Sequence, residues 1–381
     1  MTDMTLTAAQ PRWHGLDIIR LVAFFNIIFC HIHLIYFGTP YTPYVDKSWI
    51  FYVIDQFCHA LSFSGFVIVL LSSALLAVNQ KRGTQSKLRL MAVLLFGWLL
   101  LSVSTVGLRG VTWDIFGLFS TGMLVMLWLE QYRPKYLRTL GGLGFLLLWI
   151  PFWKLEPFMP EGYDALKNVF GVASCQGREV AEWPVLPWIG LVWFGYWIGN
   201  EVRRVVATGD INKLRLSRSE LGVWVLLLGA SVTQLGAYHG VRLGQFFSCD
   251  VYRQEPSQFW GHMIWPMFLM RLSVEPHVQA ALSRRKWAQW VSQLTISRKF
   301  WVAYASSYLY CMLFASVANY WELRAPLSFE TYKMPIYEFM GLTLLIQCEL
   351  VARWAVALIK VAGRVLDRWP LFNRRHAGEP S

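Results

Sequence analysis

Charge is what this chain has little of. Of its 381 residues only 15% are Asp, Glu, Lys or Arg, whereas 55% are hydrophobic, and the mean hydropathy is +0.39. A soluble domain of this length needs more charge to cover its surface, so the scarcity excludes an ordinary soluble enzyme. Cysteine is scarce as well, six in all, and no Cys or His spacing fits a metal site. A Gly-rich phosphate loop and a Gly-x-Ser-x-Gly elbow are both missing, which removes P-loop chemistry and the α/β-hydrolase nucleophile. No internal repeat, low-complexity block or soluble domain interrupts the chain. The N-terminus lacks the pattern of a secretory signal, because its first basic residue is Arg12, the apolar run that follows contains charges, and no small-residue cleavage site comes after it.

What the chain has instead is apolar runs and tryptophan, 20 of them. Indole prefers the membrane–water boundary, where its body is apolar and its N–H stays wet. A helix needs about 20 apolar residues to cross a bilayer. Ten stretches approach that length, near 15–37, 49–77, 90–108, 113–130, 139–153, 184–200, 219–236, 259–275, 300–320 and 335–360. The fifth is short and carries Gly141, Gly142 and Gly144, which predicts a tilted or broken helix, or one packed closely on a neighbour. The expected fold is all-α, a polytopic membrane helix bundle of about ten transmembrane helices. Residues 1–14 form a cytoplasmic lead, 15–363 the membrane domain and 364–381 a basic cytoplasmic tail.

The loops give the orientation. One alternating set holds Arg12, the cluster from Lys81 to Arg89, Arg133 to Arg138, Arg203 to Arg218, Arg284 to Lys299, and the tail from Arg364 to Arg375. It carries 22 basic residues, against 9 in the other set, which runs from Lys47 and Arg109 to Arg324 and Lys333. The positive-inside rule puts the richer set, and both termini, in the cytoplasm. The net charge of +12 is then read as basic loops facing anionic lipid, with no nucleic-acid partner. The segment 277–297 sets Trp287, Trp290, Val291 and Leu294 against Arg284, Arg285 and Lys286, a pattern expected of a helix lying in the inner interface. Cys175 and Cys249 fall in the two longest outer loops, where an oxidising compartment would let them pair. Cys30, Cys58, Cys311 and Cys348 fall within spans and are expected to be ordinary buried residues.

Ionisable groups inside a bilayer are costly and mark functional sites by default. The first span carries Asp17, Arg20, His31 and His33. At about 100° per residue, Arg20 and His31 differ by roughly 20° around the helix and stand roughly 16 Å apart along it. Asp17 lies three residues before Arg20 and can pair with it, whereas His33 points away from His31. One polar stripe therefore runs from the cytoplasmic end toward the outer one. Taken alone, each member also has a bland reading: an Arg snorkelling to the interface, or a histidine bonded to a neighbouring helix.

The stretch Gly15-Leu16-Asp17-Ile18-Ile19-Arg20, ten further residues and then His31 resembles the first helix of the transmembrane acyltransferases. These comprise the acyltransferase-3 family and its heparan-α-glucosaminide N-acetyltransferase-like relatives. The stretch Val185-Leu186-Pro187-Trp188-Ile189-Gly190 followed by Phe194-Gly195-Tyr196-Trp197-Ile198-Gly199 is similar to a helix of the heparan-type branch. Two features depart from the wider pattern: the Ser-Gly pair late in the second span reads Ser72-Ser73, and no late-span His stands near Tyr308–Tyr310. The resemblance implies about ten spans, a catalytic His31, acyl-CoA (acetyl-CoA first among donors) and no metal. It also implies a glycan or lipid-linked acceptor outside a bacterial inner membrane.

Acyl transfer from a thioester needs a base for the acceptor's proton, and histidine titrates near the working pH. Arg20, with Asp17 beside it, is expected to meet the donor's phosphates, since a guanidinium grips phosphate in a fixed fork. Asp55 sits roughly 9 Å into the second span, at the depth of His31, and is the expected orienter of its ring, unless it pairs instead with His59. Asp114, His262 and Glu338, near the outer ends of their spans, are expected to line an acceptor vestibule or simply to be solvated there. Glu349 and Arg353 form an i,i+4 pair read as structural. A proton-coupled transporter or flippase would also bury Asp, Arg and His, but it would often show an inverted repeat. A lipid-embedded scaffold would leave the stripe in the first span without a purpose.

Overall fold

The computed structural model describes residues 12–37, 64–78, 87, 91, 94–96, 98, 115–160, 167, 170–172, 184–238 and 255–367. Every regular element among them is helical. The helices are α1 (His14–Phe37), α2 (Ser64–Val78), α3 (Ile115–Tyr132), α4 (Leu137–Leu147), α5 (Val185–Ala207), α6 (Arg218–Tyr238) and α7 (Pro256–Ser273). They continue with α8 (Pro276–Ser283), α9 (Lys286–Gln293), α10 (Thr295–Arg298), α11 (Phe300–Arg324) and α12 (Pro326–Asp367). The chain divides into two compact units, Met1–Ala23 with Phe63–Ser292, and Phe24–Ser62 with Gln293–Ser381.

The first unit is built around α2, which is apolar on every side and buried on every side except at Leu75 and Val78. A helix that is apolar all round belongs inside. Ser73 Oγ turns back on the Val69 carbonyl at 2.8 Å, which satisfies one hydroxyl where an unpaired one is costly, whereas Ser72 Oγ is buried with no partner among the described residues. Helix α5 packs against α2, α3 and α4. Close approach explains its glycines. A Cβ on Gly195 would stand 2.5 Å from the Leu70 carbonyl oxygen, and one on Gly144 of α4 would stand 2.7 Å from the Gly190 carbonyl oxygen. Small residues at such crossings let backbones meet where apolar surroundings give no hydrophobic drive. Aromatic rings fill the neighbouring gaps: Phe66 of α2, Trp188 of α5 and Phe259 of α7 lie within 4.4–5.5 Å of one another, centroid to centroid.

Helices α6 and α7 pair through Trp224 and Phe268, and through Arg271, which grips both carboxylate oxygens of Glu220 at 2.6 and 2.9 Å. The α6 face bearing Val223, Val225 and Leu226 is 55–74% exposed. Apolar exposure on that scale suits lipid rather than water.

In the second unit α12 runs back along α11, with Trp321 stacked on Tyr332, and Tyr310 donating to Gln347 Oε1 at 2.8 Å. Glu349 does more than pair with Arg353 at 2.9 Å. Its two oxygens also accept the N–H groups of Thr295 and Ile296, at 2.9 and 3.1 Å, and so serve the orphan donors at the start of α10. Cys311 and Cys348 are buried free thiols, as expected.

Three described helices are long and apolar enough to cross a membrane: Ile115–Tyr132, Phe300–Arg324 and Glu338–Val361. A fourth is added if Pro134–Leu147 and Phe152–Phe158, bent by 72°, make one broken span. That bend falls in the Gly-rich fifth stretch, where a broken helix was one of the expectations. Of the other expected spans, 15–37, 184–200, 219–236 and 259–275 fall on α1, α5, α6 and α7, which are not among the helices long and apolar enough to cross, and 49–77 and 90–108 extend over residues outside the described ones. The last expected span, 335–360, agrees with Glu338–Val361, which is the middle of α12, whose 42 residues extend about 63 Å, twice a hydrocarbon core of about 30 Å. One expectation needs adjusting. The segment 277–297 is three short helices, α8 to α10, because the chain leaves the helix near Arg284 and again near Leu294, where Glu349 receives the first N–H groups of α10.

Candidate functional site

The start of α1 carries the first constellation. Asp17 is 6% exposed, and each carboxylate oxygen holds a guanidinium: Oδ1 takes Arg20 at 2.9 Å, and Oδ2 takes Nε of Arg12 at 3.0 Å. Helical spacing sets the first contact, since i and i+3 lie on one face. The second comes from the turn before the helix, so Arg12 belongs to the site and not to a loose lead. Arg12 also donates to the Ser292 carbonyl, and its own carbonyl accepts from Gln279. His14 Nδ1 meets Ser292 Oγ at 2.8 Å, and Gly15 packs so closely on Ser273 that a Cβ would stand 2.6 Å from its side chain. Burial, followed by the positive charge of Arg12, lowers the His14 pKa below its usual 6.5 against the pull of Asp17. Two guanidiniums on one carboxylate leave a net positive charge, and such a group attracts anions.

A second constellation gathers residues far apart in sequence. Glu130 near the end of α3 accepts from Lys87 Nζ at 2.8 Å and from the Tyr196 hydroxyl at 2.6 Å on one oxygen, and from Arg203 at 2.6 Å on the other. Arg203 reaches on to Asn200 Oδ1, and Lys87 lies 5.9 Å above the Tyr196 ring. Lys87 is 4% exposed and Tyr196 fully buried. A buried cation is stable only when paired and hydrogen-bonded, and here one carboxylate serves two cations and a phenol. Sequence reasoning missed this cluster. Its one local signal is the spacing of Tyr196, Asn200 and Arg203 along one face of α5, while Lys87 and Glu130 are 43 residues apart.

Of the residues expected at the site, Asp17 and Arg20 are the pair brought together. His31 lies on α1, which is continuous from Arg20 onward, although the described side chains of that helix end at Ile28. Asp55 and Asp114 lie outside the described residues, as do His59, Cys58, Cys175 and Cys249. His262 sits on α7 in the first unit, half-buried, next to Gly261, whose carbonyl accepts from Ser231. Glu338 sits half-buried on α12 in the second unit. Among the described residues no cluster of three His, Cys, Asp or Glu side chains could hold a metal ion.

Compared with protein families, the chain matches the catalytic domain of heparan-α-glucosaminide N-acetyltransferase over residues 12–238. The chain belongs to that family. The match opens at Arg12 and closes at the last residue of α6, so it contains the Arg12–Asp17–Arg20 group, His31 and the Lys87–Glu130–Tyr196–Arg203 cluster. His262 and Glu338 fall outside it. No curated protein and no solved structure matches the chain. Family membership makes the chain an acetyltransferase, and with its apolar helices gives it a membrane location.

Proposed function

We propose that this acetyltransferase takes its acyl group from acetyl-CoA on the cytoplasmic side of a bacterial inner membrane. The acceptor is a hydroxyl or amine of a glycan or lipid-linked molecule on the far side. The observation that carries the reading is Arg20, held on Asp17 at 2.9 Å on a helix that continues unbroken past His31, within the family match. Arg20 meets the donor's phosphates, while Asp17 and Arg12 fix its position. A carboxylate repels phosphate, so Asp17 orients and does not itself bind. The roughly 16 Å from Arg20 to His31 along the helix suits an extended pantetheine arm.

His31 then accepts the acceptor's O–H or N–H proton, with Asp55 orienting its ring. The freed heteroatom attacks the thioester carbonyl, and the tetrahedral oxyanion collapses by breaking the C–S bond. The thiolate leaves and takes a proton to become CoA. Asp114 and His262 line the acceptor's approach. The test is to incubate purified protein with acetyl-CoA labelled in the acetyl group and a cell-envelope extract. Label should appear covalently on an envelope molecule with release of free CoA. Movement of an envelope solute with no acetylated product would place the chain among transporters instead.

A further inference from the structure

Residues 276–292 present a surface that the proposed chemistry does not use. Helix α9 has three sectors. Ala288, Val291 and Ser292 face the protein and are buried. Lys286, Gln289 and Gln293 are exposed and polar. Between these sectors, roughly 120° round the helix from the buried side, Trp287 and Trp290 are each 53% exposed. Neither indole stacks on another ring or finds a hydrogen-bond partner among the described residues. Immediately before them Arg284, Arg285 and Lys286 form an exposed basic run with no carboxylate partner among the described residues.

A cationic run at the start of a helix opposes the helix dipole, so its benefit lies outside the fold. Indoles half-sunk beside unpaired cations fit a boundary where acyl chains meet anionic headgroups. The surface is also held in place: Gln289 donates to the Ser283 carbonyl at 2.6 Å, and Arg12 and His14 both bond Ser292.

We infer that α9 and the basic run before it form a binding site for an anionic phospholipid, with Trp287 and Trp290 at the acyl boundary and Arg284, Arg285 and Lys286 on the headgroup phosphate. Charge complementarity selects the occupant, because a zwitterionic lipid leaves the three cations uncompensated.

Native mass spectrometry of the full-length protein, titrated with phosphatidylglycerol or phosphatidylcholine, tests the site. R284Q/R285Q/K286Q should retain phosphatidylglycerol roughly tenfold less well than the wild type, with phosphatidylcholine unchanged. W287A/W290A, which keeps the cations, should weaken both lipids. Equal phosphatidylglycerol retention by the wild type and the triple variant would overturn the assignment. So would displacement of the lipid by millimolar inorganic phosphate, which would make the site an anion site. Conversion of a dimer to monomers by W287A/W290A, with lipid retention unchanged, would make the surface a contact between copies.

Discussion

At the scale of single residues, Glu130 carries the greatest structural load. It is the shared anion of Lys87 and Arg203, with side chains only 5% and 21% exposed. Glu130→Ala leaves two cations facing each other beside a buried phenol. The expected loss is about 3 kcal/mol, the low end of what stripping one partner from a buried pair costs. Chemical unfolding in detergent micelles measures it, and an unchanged midpoint would show that water already compensates those charges.

His14 gives a pH signature. Its folded pKa lies below the unfolded value of 6.5, so the folded protein favours the neutral ring. Above about pH 7.5 both states are neutral and His14 has no effect. As pH falls through 6.5 the unfolded chain takes up the proton first, and stability is lost until the folded ring titrates as well. Thermal melts at pH 7.5 and 5.5 should show a smaller acid loss in His14→Gln than in the wild type.

These residues also show what the sequence made legible. Asp17 with Arg20 could be read because helical spacing alone places them together. Arg12 on Asp17, and Lys87 on Glu130, depend on turns and crossings that no local periodicity encodes.

At the scale of elements, glycine packing sets how α5 meets its neighbours. Gly195→Ala pushes a methyl group to within 2.5 Å of the Leu70 carbonyl oxygen and 3.1 Å of Ser73 Cβ, both on α2. Backbone cannot yield as a flexible side chain does, so the expected cost is about 1–3 kcal/mol. Gly229→Ala on α6, where an added Cβ meets nothing within 4 Å, is the control and should cost nothing. Equal behaviour of the two variants in the same unfolding assay would contradict the close packing.

The close packing of the fifth stretch was legible from its glycines, since a Cβ on Gly141 would stand 2.2 Å from Trp197 and one on Gly144 2.7 Å from the Gly190 carbonyl oxygen, whereas the break falls beyond them, between Leu147 and Phe152. The division of 277–297 into α8, α9 and α10 was not legible. It depends on Glu349, more than 50 residues downstream, whose carboxylate receives the first N–H groups of α10.

At the scale of the whole molecule, composition announced a membrane protein, and the described helices with their exposed apolar faces agree. The proposed orientation rests on the split of 22 basic residues against 9. Reporter fusions after Asn79 and after Glu255 should therefore report opposite sides of the membrane, and signals from the same side would break the ten-span topology. The catalytic proposal is tested most directly by the two histidines of α1. In the labelled acetyl-CoA assay, His31→Ala should lower transfer by about 10²–10⁴, the usual worth of a general base, while the protein stays folded. His33→Ala, on the opposite side of the helix, should leave most activity in place. A folded His31→Ala protein that transfers acetyl at near the wild-type rate, or an essential His33, would contradict the account.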